Sequence, residues 1–237
     1  MTSDAVLGRV AAIYRYPVKS MASEAVDAVE VSWNGLAGDR RWAFIREGMA
    51  RSGFPWLTIR ENAAMWRYQP RFGDPSEPDT SVTVVRTPAG SEMDVVDPAL
   101  AEELGSGARA IKQNRGIFDT MPVSLITTQT VAHVGCLVGV ELDARRFRPN
   151  LVIEASPDSP FQEVEWVGEI IQIGQLKLHV NKRDKRCVMV NVDPATTDQN
   201  PAILRAIARE CQAQLGVYAS TVEPGRVAVG DQVILAN

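Results

Sequence analysis

Residues 168–187 read GEIIQIGQLKLHVNKRDKRC, and this stretch decides which kind of fold the chain can form. Aliphatic and β-branched residues dominate it up to Val180, and Gly174-Gln175 has the form of a tight turn. The pattern predicts two strands joined by that turn. The second strand leads into a segment with four cations, which ends at Cys187.

Short segments of the same kind recur along the chain, each bounded by Gly, Pro, Asn or Asp. The tail RVAVGDQVIL repeats the two-strand pattern with Gly230-Asp231 at the turn, and VMVNVDP after Cys187 also reads as a strand. Many short strands with few helices predict a mostly β (α+β) architecture of the barrel type. The other predicted strands are VLGRVAAIY (region 7–14), AVDAVEVSW (25–33), RRWAFIR (40–46), SVTVVR (81–86), NLVIEA (150–155) and GEIIQIG (168–174).

Three helices are predicted from the residues that begin and end them. The first begins at Asp97-Pro98 and ends at Gly105. The second follows Thr127 or Thr128 as its cap and runs through VAHVGCLVG.

The third helix begins at Asn200-Pro201 and has the clearest amphipathic pattern. Gly216 is expected just past its end. Its predicted apolar face consists of Ile203, Leu204, Ile207, Cys211 and Leu215.

The composition restricts the classes of function. The 237 residues carry a net charge of −4, which argues against general nucleic-acid binding, because that needs a basic face. No apolar run reaches the length of a membrane helix, and MTSDAVLGRV does not have the form of a signal peptide. Three widely spaced cysteines indicate free thiols in a reducing compartment. We therefore expect a cytoplasmic protein that binds neither nucleic acid nor a membrane.

Cys187 differs from the other two cysteines in its surroundings. Cations close to a cysteine favour the thiolate, which is the form that binds metals or attacks electrophiles. On local sequence alone, it is equally possible that Cys187 has no chemical role and is a cysteine at a strand edge beside a run of solvated charges. Cys136 and Cys211 lie on apolar helical faces and read as core residues. The chain has two histidines and no GxSxG, Walker A, GxGxxG or HExxH motif, so serine hydrolysis and nucleotide binding have no support.

Three further cations lie beside predicted strands. Lys19 follows the first strand, Arg40 begins another, and Arg148 precedes Pro149, which forces an extended approach to the next strand. Taken singly, each reads as a surface charge. Together they could converge at one mouth of a barrel and bind a phosphate-bearing ligand.

Seven segments in fixed order carry a resemblance to a known family. The chain resembles the MOSC-domain proteins, in the branch with an additional N-terminal MOSC β-barrel region that includes the amidoxime-reducing components. The resemblance implies a MOSC β-barrel with a few short helices and an N-terminal barrel-like subdomain. It divides the chain into an N-terminal region, 1–104, and a MOSC domain, 105–237, whose barrel the first strands complete. The segments are YPVKS (16–20), GLAGDRRW (35–42), TIREN (58–62), FDTMPVSLIT (118–127), RRFRPNLVI (145–153), EWVGEIIQIG (165–174) and RCVMVNVDP (186–194).

The resemblance also implies a cofactor site for a molybdenum–molybdopterin. Cys187 matches the metal ligand and thus the catalytic cysteine, which suits a soft thiolate. The segment before the cysteine, Lys185-Arg186, departs from the family pattern. This departure bears on the prediction of the pocket edge more than on the prediction of the cofactor. Residues matching the pterin and phosphate site are Lys19, Ser20, Arg40 and Arg148, and less strictly placed matches are Thr127, Asn150, Arg186 and Tyr218.

The function implied is an oxidoreductase that reduces small N-hydroxylated compounds. Its electrons would come from an external electron-transfer protein of ferredoxin, flavodoxin or cytochrome b5 type with a reductase, and Asp119 could help as an acid. The alternative is a molybdenum-cofactor or sulfur carrier that uses a Cys187 persulfide. An accessible Cys187 with no substrate-sized pocket beside it would favour the carrier. A barrel that has lost the cofactor and serves as an interaction module is the third reading.

Overall fold

The computed structural model describes residues 5–49 and 51–236. The prediction about the start of the chain involves residues 1–4, which lie outside the described residues. Within the described part the α-helices are α1 (Pro98–Leu104), α2 (Thr128–Val138), α3 (Gln162–Glu165) and α4 (Ala202–Cys211). The strands are β1 (Val6–Arg15), β2 (Glu24–Ala25), β3 (Ala28–Ser32), β4 (Gly35–Leu36), β5 (Trp42–Ile45), β6 (Gln69–Phe72), β7 (Thr83–Arg86), β8 (Glu92–Asp94), β9 (Arg109–Lys112), β10 (Val123–Thr127), β11 (Leu151–Ala155), β12 (Ile170–Ile173), β13 (Leu176–Lys185), β14 (Gln214–Glu223), β15 (Gly225–Ala228) and β16 (Gln232–Leu235).

Seven strands form a closed barrel in the order β11-β10-β14-β13-β12-β16-β1, and the antiparallel pairing of β1 with β11 closes it. Alternate residues of these strands point inward, as the period of a strand requires, and form the main apolar core. Leu125, Leu151 and Val217 are among the side chains fully buried there. The predicted mostly β (α+β) class with a barrel and few helices is confirmed.

The smaller sheets lie mainly in the first half of the chain, in the orders β6-β7-β8, β5-β9 and β15-β3-β4. A second apolar core, with Phe44, Met65 and Trp66 among its buried residues, stabilises this part. The first strand belongs to the barrel, whereas the late strand β15 pairs with the early strand β3. The domain division after residue 104 stays a prediction.

The ends of the first two helices agree with the sequence. The Asp97 carboxylate accepts a hydrogen bond at the start of α1, and Gly105 follows its last residue. The Thr127 hydroxyl caps α2. The third helix is shorter than predicted, because Gln212 and Ala213 adopt left-handed backbone angles after Cys211.

Three further predictions are wrong, one about the end of a helix and two about strands. Leu215 and Gly216, expected at the end of the last helix, lie in β14 of the barrel. The two halves of the tail are strands but do not pair with each other, because β15 binds β3 while β16 joins β12 and β1. Residues 188–191 form a 3-10 helix rather than a strand. Among the described residues, none of the helices combines the length and the apolar character of a membrane-spanning segment.

Candidate functional site

A cavity of about 340 Å³ lies at the end of the barrel where β1 and β13 end and β11 begins. Antiparallel pairing brings these strand ends together, since Ile13 lies beside Leu151 and Lys185 beside Gln214. Segments distant in sequence thus meet in its wall. The site residues predicted from the sequence that line it are Lys19, Ser20, Arg40, Arg148, Asn150, Arg186, Cys187 and Tyr218.

Tyr16, Arg40 and Arg148 form a packed unit, which we call the Tyr16 stack. The Tyr16 ring is fully buried, and the guanidinium carbons of Arg40 and Arg148 lie 4.4 Å and 4.2 Å from its centroid. The Tyr16 hydroxyl donates to the carbonyl of Pro149 at 3.1 Å. Both arginines have left-handed backbone angles, an uncommon conformation for a long side chain. The stack therefore holds two cations at defined positions.

The charges of the Tyr16 stack are only partly balanced. Arg40 is paired with the buried carboxylate of Asp39, which also accepts from the Tyr16 amide at 2.8 Å. Arg148 donates through Nη1 to the Met21 carbonyl at 2.8 Å, while its Nη2 has no hydrogen-bond partner within the described residues. Burial lowers the pKa of Arg148 to about 10, and the charge of Arg40 acts in the same direction. Arg148 is thus a cation at neutral pH with an unused donor, which favours an anion.

Lys19, Asp119 and Arg60 form a second charged unit, which we call the Asp119 bridge. Lys19 Nζ donates to Asp119 Oδ1 and, at 3.1 Å, to the carbonyl of Ile117, and Arg60 Nη2 donates to Asp119 Oδ2 at 3.1 Å. Burial acts to raise the pKa of Asp119, but the two cations outweigh it and hold this pKa below its ordinary value. Asp119 is therefore a carboxylate at neutral pH, which does not suit the general-acid role expected from the sequence.

Cys187 lies between the end of β13 and the 3-10 helix 188–191, and it is partly exposed. Arg60 lies near it: burial acts to lower the pKa of Arg60, but the neighbouring Cys187 and Asp119 raise this pKa above its ordinary value. Cys136 is exposed rather than in the core, and Cys211 is buried as expected; neither lines the cavity. The thiol of Cys187 is therefore the sulfur that faces this group of cations.

The wall behind Cys187 contains a buried acid. Asp184 is 3% exposed, its carboxylate lies 2.8 Å from Arg186 Nη1, and Tyr218 is its neighbour in the wall. Burial raises the pKa of Asp184, and burial together with the Asp184 charge raises that of Tyr218. Tyr218 thus keeps its proton at neutral pH.

Arg186 is held mainly by backbone carbonyls. Its Nε donates to Leu215 at 2.6 Å and its Nη1 to Phe147 at 2.7 Å. Gly216 lies against it with a φ of +71°, and a Cβ there would be 2.7 Å from the carbonyl of Leu125 and 3.0 Å from Arg186 Nη2. Glycine is therefore required at this point of the wall.

Family models match the chain on both sides of a short gap. The model of the MOSC N-terminal beta barrel domain matches residues 7–103, and that of the MOSC domain matches residues 112–234. The chain belongs to the MOSC domain family. The resemblance found in the sequence is confirmed, and the cavity lies within these matched regions.

Curated relatives of this MOSC protein are longer. It is 24% identical over 249 residues to a molybdenum cofactor sulfurase of Drosophila mojavensis, covering 86% of this chain and 31% of the relative. The corresponding protein of Drosophila grimshawi is 27% identical over 248 residues, with the same shares covered. The chain thus spans about a third of their length. The YuaD protein of Bacillus subtilis has a similar fold, with a TM-score of 0.54, 14% identity, and coverage of 96% of this chain and 94% of that one.

One predicted site residue of the MOSC protein lies elsewhere. Thr127 is fully buried and does not line the cavity. Its hydroxyl caps α2 and donates to Glu163 Oε2 at 2.8 Å, so its hydrogen-bonding capacity is used inside the protein. Thr127 thus caps α2 and does not line the cavity with the other predicted residues, and its role in cofactor binding stays a prediction.

Asn150 lines the cavity of the MOSC protein but mainly organises its wall. It is 1% exposed, its Oδ1 accepts from the Ser124 amide at 3.2 Å, and its Nδ2 donates to the Tyr14 carbonyl at 3.2 Å. These bonds join the end of β1 and the start of β10 to the residue that precedes β11. Ser20 is also buried, at 3% exposure, with a left-handed φ of 69°.

Three residues that matter for the MOSC cavity were not singled out from the sequence. Arg60 lies near Cys187. In the sequence, its place in the TIREN segment, which matches the family, was the signal that could have identified it. Tyr16 belongs to YPVKS and Asp184 to the basic run before Cys187, and nothing in the sequence distinguishes either residue from those beside it. Only their contacts show their importance.

Proposed function

We propose that this protein binds a molybdenum–pterin cofactor through Cys187 and uses it to reduce N-hydroxylated compounds. Membership of the MOSC family and similarity to molybdenum cofactor sulfurases support a function related to that cofactor. The observation that carries the proposal is the shared cavity of Cys187 and Arg148, because it places a thiol beside a cation with an unused donor.

The donor set fits such a group. The described residues contain no cluster of three or more His, Cys, Asp or Glu side chains that could hold a metal by themselves. A cofactor that brings its own dithiolene sulfurs needs only one protein ligand, and a thiolate is a soft ligand of the suitable kind. Arg40 and Arg148 supply the positive charge that a pterin phosphate requires. The unpaired Arg148 Nη2 is the atom that such a phosphate would satisfy.

The bound cofactor would supply the two-electron redox chemistry, with electrons from a separate electron-transfer protein. The residues of this chain would position the reaction. The Tyr16 stack would orient the pterin end, and Cys187 would fix the metal end. Tyr218 would hold a proton on its hydroxyl beside Asp184, and the charged Asp119 would keep Lys19 and Arg60 in place.

The cavity also supports the enzyme over the carrier. A carrier needs an accessible sulfur, and the partial exposure of Cys187 is consistent with that role. The cavity of about 340 Å³ that Cys187 lines is in the size range of small-molecule sites, and a sulfur carrier, unlike a protein that holds the cofactor, has no need of it. Reduction of a small substrate therefore remains our proposal, and persulfide transfer by Cys187 is the second candidate.

The test compares metal content among cysteine variants produced in a host that makes the cofactor. We expect near-stoichiometric molybdenum in the wild type and little in Cys187→Ser. Cys136→Ser is the matched control, since this exposed cysteine lies outside the cavity, and it should keep its metal. Equal metal in the wild type and Cys187→Ser would remove Cys187 as a ligand, and no metal in any variant would overturn cofactor binding.

The loaded wild type is then assayed for reduction of an amidoxime with a chemical reductant. Formation of the amidine, absent with Cys187→Ser, is the expected result. Metal without reduction would refute the reductase activity. A persulfide on Cys187 found by mass spectrometry in that case would favour the carrier.

A further inference from the structure

A second cleft, outside the Cys187 cavity, collects positive charge. Its volume is about 660 Å³, and its lining includes Arg67, Arg86 and Arg145 but no aspartate or glutamate. The chain as a whole carries a net charge of −4. Three arginines with no acidic residue in the same lining therefore make this cleft locally positive on a negatively charged protein. We call this site, with Thr87 in its wall, the arginine cleft.

The charges of the arginine cleft are mostly uncompensated. Arg145 is paired with Asp143, to which its Nε and Nη2 donate at 2.8 Å and 2.5 Å. Arg67 and Arg86 have no carboxylate within ion-pair distance in residues 5–49 and 51–236, and both are exposed. The cleft therefore presents two cations without an ion-pair partner beside a neutral pair, since Glu92, which lies opposite Arg86 in the pairing of β7 with β8, is bound to Arg71.

The backbone fixes the positions of these side chains. Arg86 lies directly opposite Gln69 in the antiparallel pairing of β7 with β6, so the two side chains share one face of that sheet. Arg67 ends the 3-10 helix that precedes β6. Thr87 follows Arg86 and is 3% exposed, and its hydroxyl has no hydrogen-bond partner within the described residues. A buried hydroxyl without a partner is costly unless a ligand or water satisfies it.

We propose that the arginine cleft binds the phosphate group of a small molecule. Two uncompensated guanidinium groups match the charge of a phosphate dianion, and their planar donors suit its oxygens. A carboxylate carries only one charge and would leave one arginine unbalanced. The concave shape and the volume are those of small-molecule sites, and a protein partner would need a much wider surface.

The arginine cleft is separated from the Cys187 cavity by a wall of shared segments. Arg145 faces the cleft while its neighbour Arg146 lines the cavity, and Ser20 lines the cavity while Ala22 lines the cleft. An experiment must therefore distinguish the two sites, because Arg148 in the cavity can also attract phosphate.

Titration calorimetry with inorganic phosphate at constant ionic strength tests the proposal. We compare the wild type with Arg67→Gln/Arg86→Gln, and expect each lost arginine to weaken binding by about tenfold. The matched control is Arg9→Gln/Arg226→Gln, which removes two exposed arginines that do not line the cleft. It should leave phosphate binding unchanged.

Further titrations distinguish the arginine cleft from the Cys187 cavity and identify the class of ligand. Arg148→Gln should retain a phosphate-binding event, and complete loss of binding in that variant would overturn the proposal. Acetate should bind at least about tenfold more weakly than phosphate, since it carries one charge; equal affinity would contradict the dianion assignment.

Tighter binding of glycerol 3-phosphate than of phosphate would support a phosphomonoester, and the reverse would support the free ion. No binding of phosphate to the wild type would refute the site.

Discussion

The Tyr16 stack and the Asp119 bridge hold cations at the same cavity by different means. In the stack, Arg40 and Arg148 lie on a fully buried ring. In the bridge, Lys19 and Arg60 meet on Asp119, whose side chain is 35% exposed. The stack combines ring packing with the buried Arg40–Asp39 ion pair, whereas the bridge depends on ion pairs in which Asp119 and Arg60 are partly open to water and salt and Lys19 alone is buried.

The difference indicates which part of the cavity is rigid. Packing against a buried aromatic ring is insensitive to salt, whereas a partly exposed ion pair is screened and worth little in stability. We infer that the stack keeps its geometry without a ligand and that the bridge can rearrange when one binds. Each prediction below changes one of the two units.

The largest effect is expected for Tyr16→Ala. Removing a fully buried aromatic ring should lower the free energy of unfolding by about 3–5 kcal/mol, because a cavity remains under two guanidinium groups. Urea denaturation measures the change. Trp33→Ala is the control, since this ring is 66% exposed, and we expect a change within about 0.5 kcal/mol. Equal effects of both substitutions would show that the stack contributes no packing energy.

A smaller effect is expected for Tyr16→Phe, which keeps the ring and removes the hydroxyl. The carbonyl of Pro149 loses its donor in a buried place, so unfolding should become easier by about 1 kcal/mol. Tyr68→Phe serves as a comparison, because that hydroxyl donates to the exposed Glu103 and its loss can be replaced by water. A larger loss in Tyr68→Phe than in Tyr16→Phe would contradict our description of the stack.

The smallest effect is expected for Asp119→Asn, at about 1 kcal/mol at neutral pH, because an amide oxygen there can still accept from the buried Lys19, which also donates to the carbonyl of Ile117. The two cations lower the pKa of Asp119 in the folded protein, so its stabilising contribution is present above the ordinary value of about 3.9. It is lost as the pH falls through the folded-state pKa. The difference in unfolding free energy between wild type and variant should therefore be largest at pH 7 and should shrink as the pH is lowered below about 4.

High salt provides a second test of the prediction for Asp119→Asn. The difference caused by Asp119→Asn should shrink in 1 M salt, where exposed charges are screened within about 3 Å. Glu92→Gln, which breaks an ion pair between two half-exposed side chains, should behave in the same way. A difference that survives both low pH and high salt would show that Asp119 acts through packing.

Much of the local structure could be predicted from the sequence. Alternating apolar residues and the Gly174-Gln175 turn predicted β12 and β13, and the Asp97-Pro98 cap and Gly105 predicted α1. These signals work because side-chain period and end residues act within a few positions of the chain. The predicted pairing of the two tail strands was wrong, because β15 pairs with β3 and β16 with β1 and β12, which all lie far from the tail in sequence.

The site divides in the same way. The sequence by itself determined that a cysteine beside cations, with Lys19, Arg40 and Arg148 at strand ends, was available for an anionic metal cofactor. Tertiary structure alone decided that Tyr16 carries two of those cations, that Arg60 lies near Cys187, and that Thr127 turns away to cap α2. Residue types and spacing specify which groups exist. Which of them meet depends on distances between remote strands, and those distances exist only when the barrel closes.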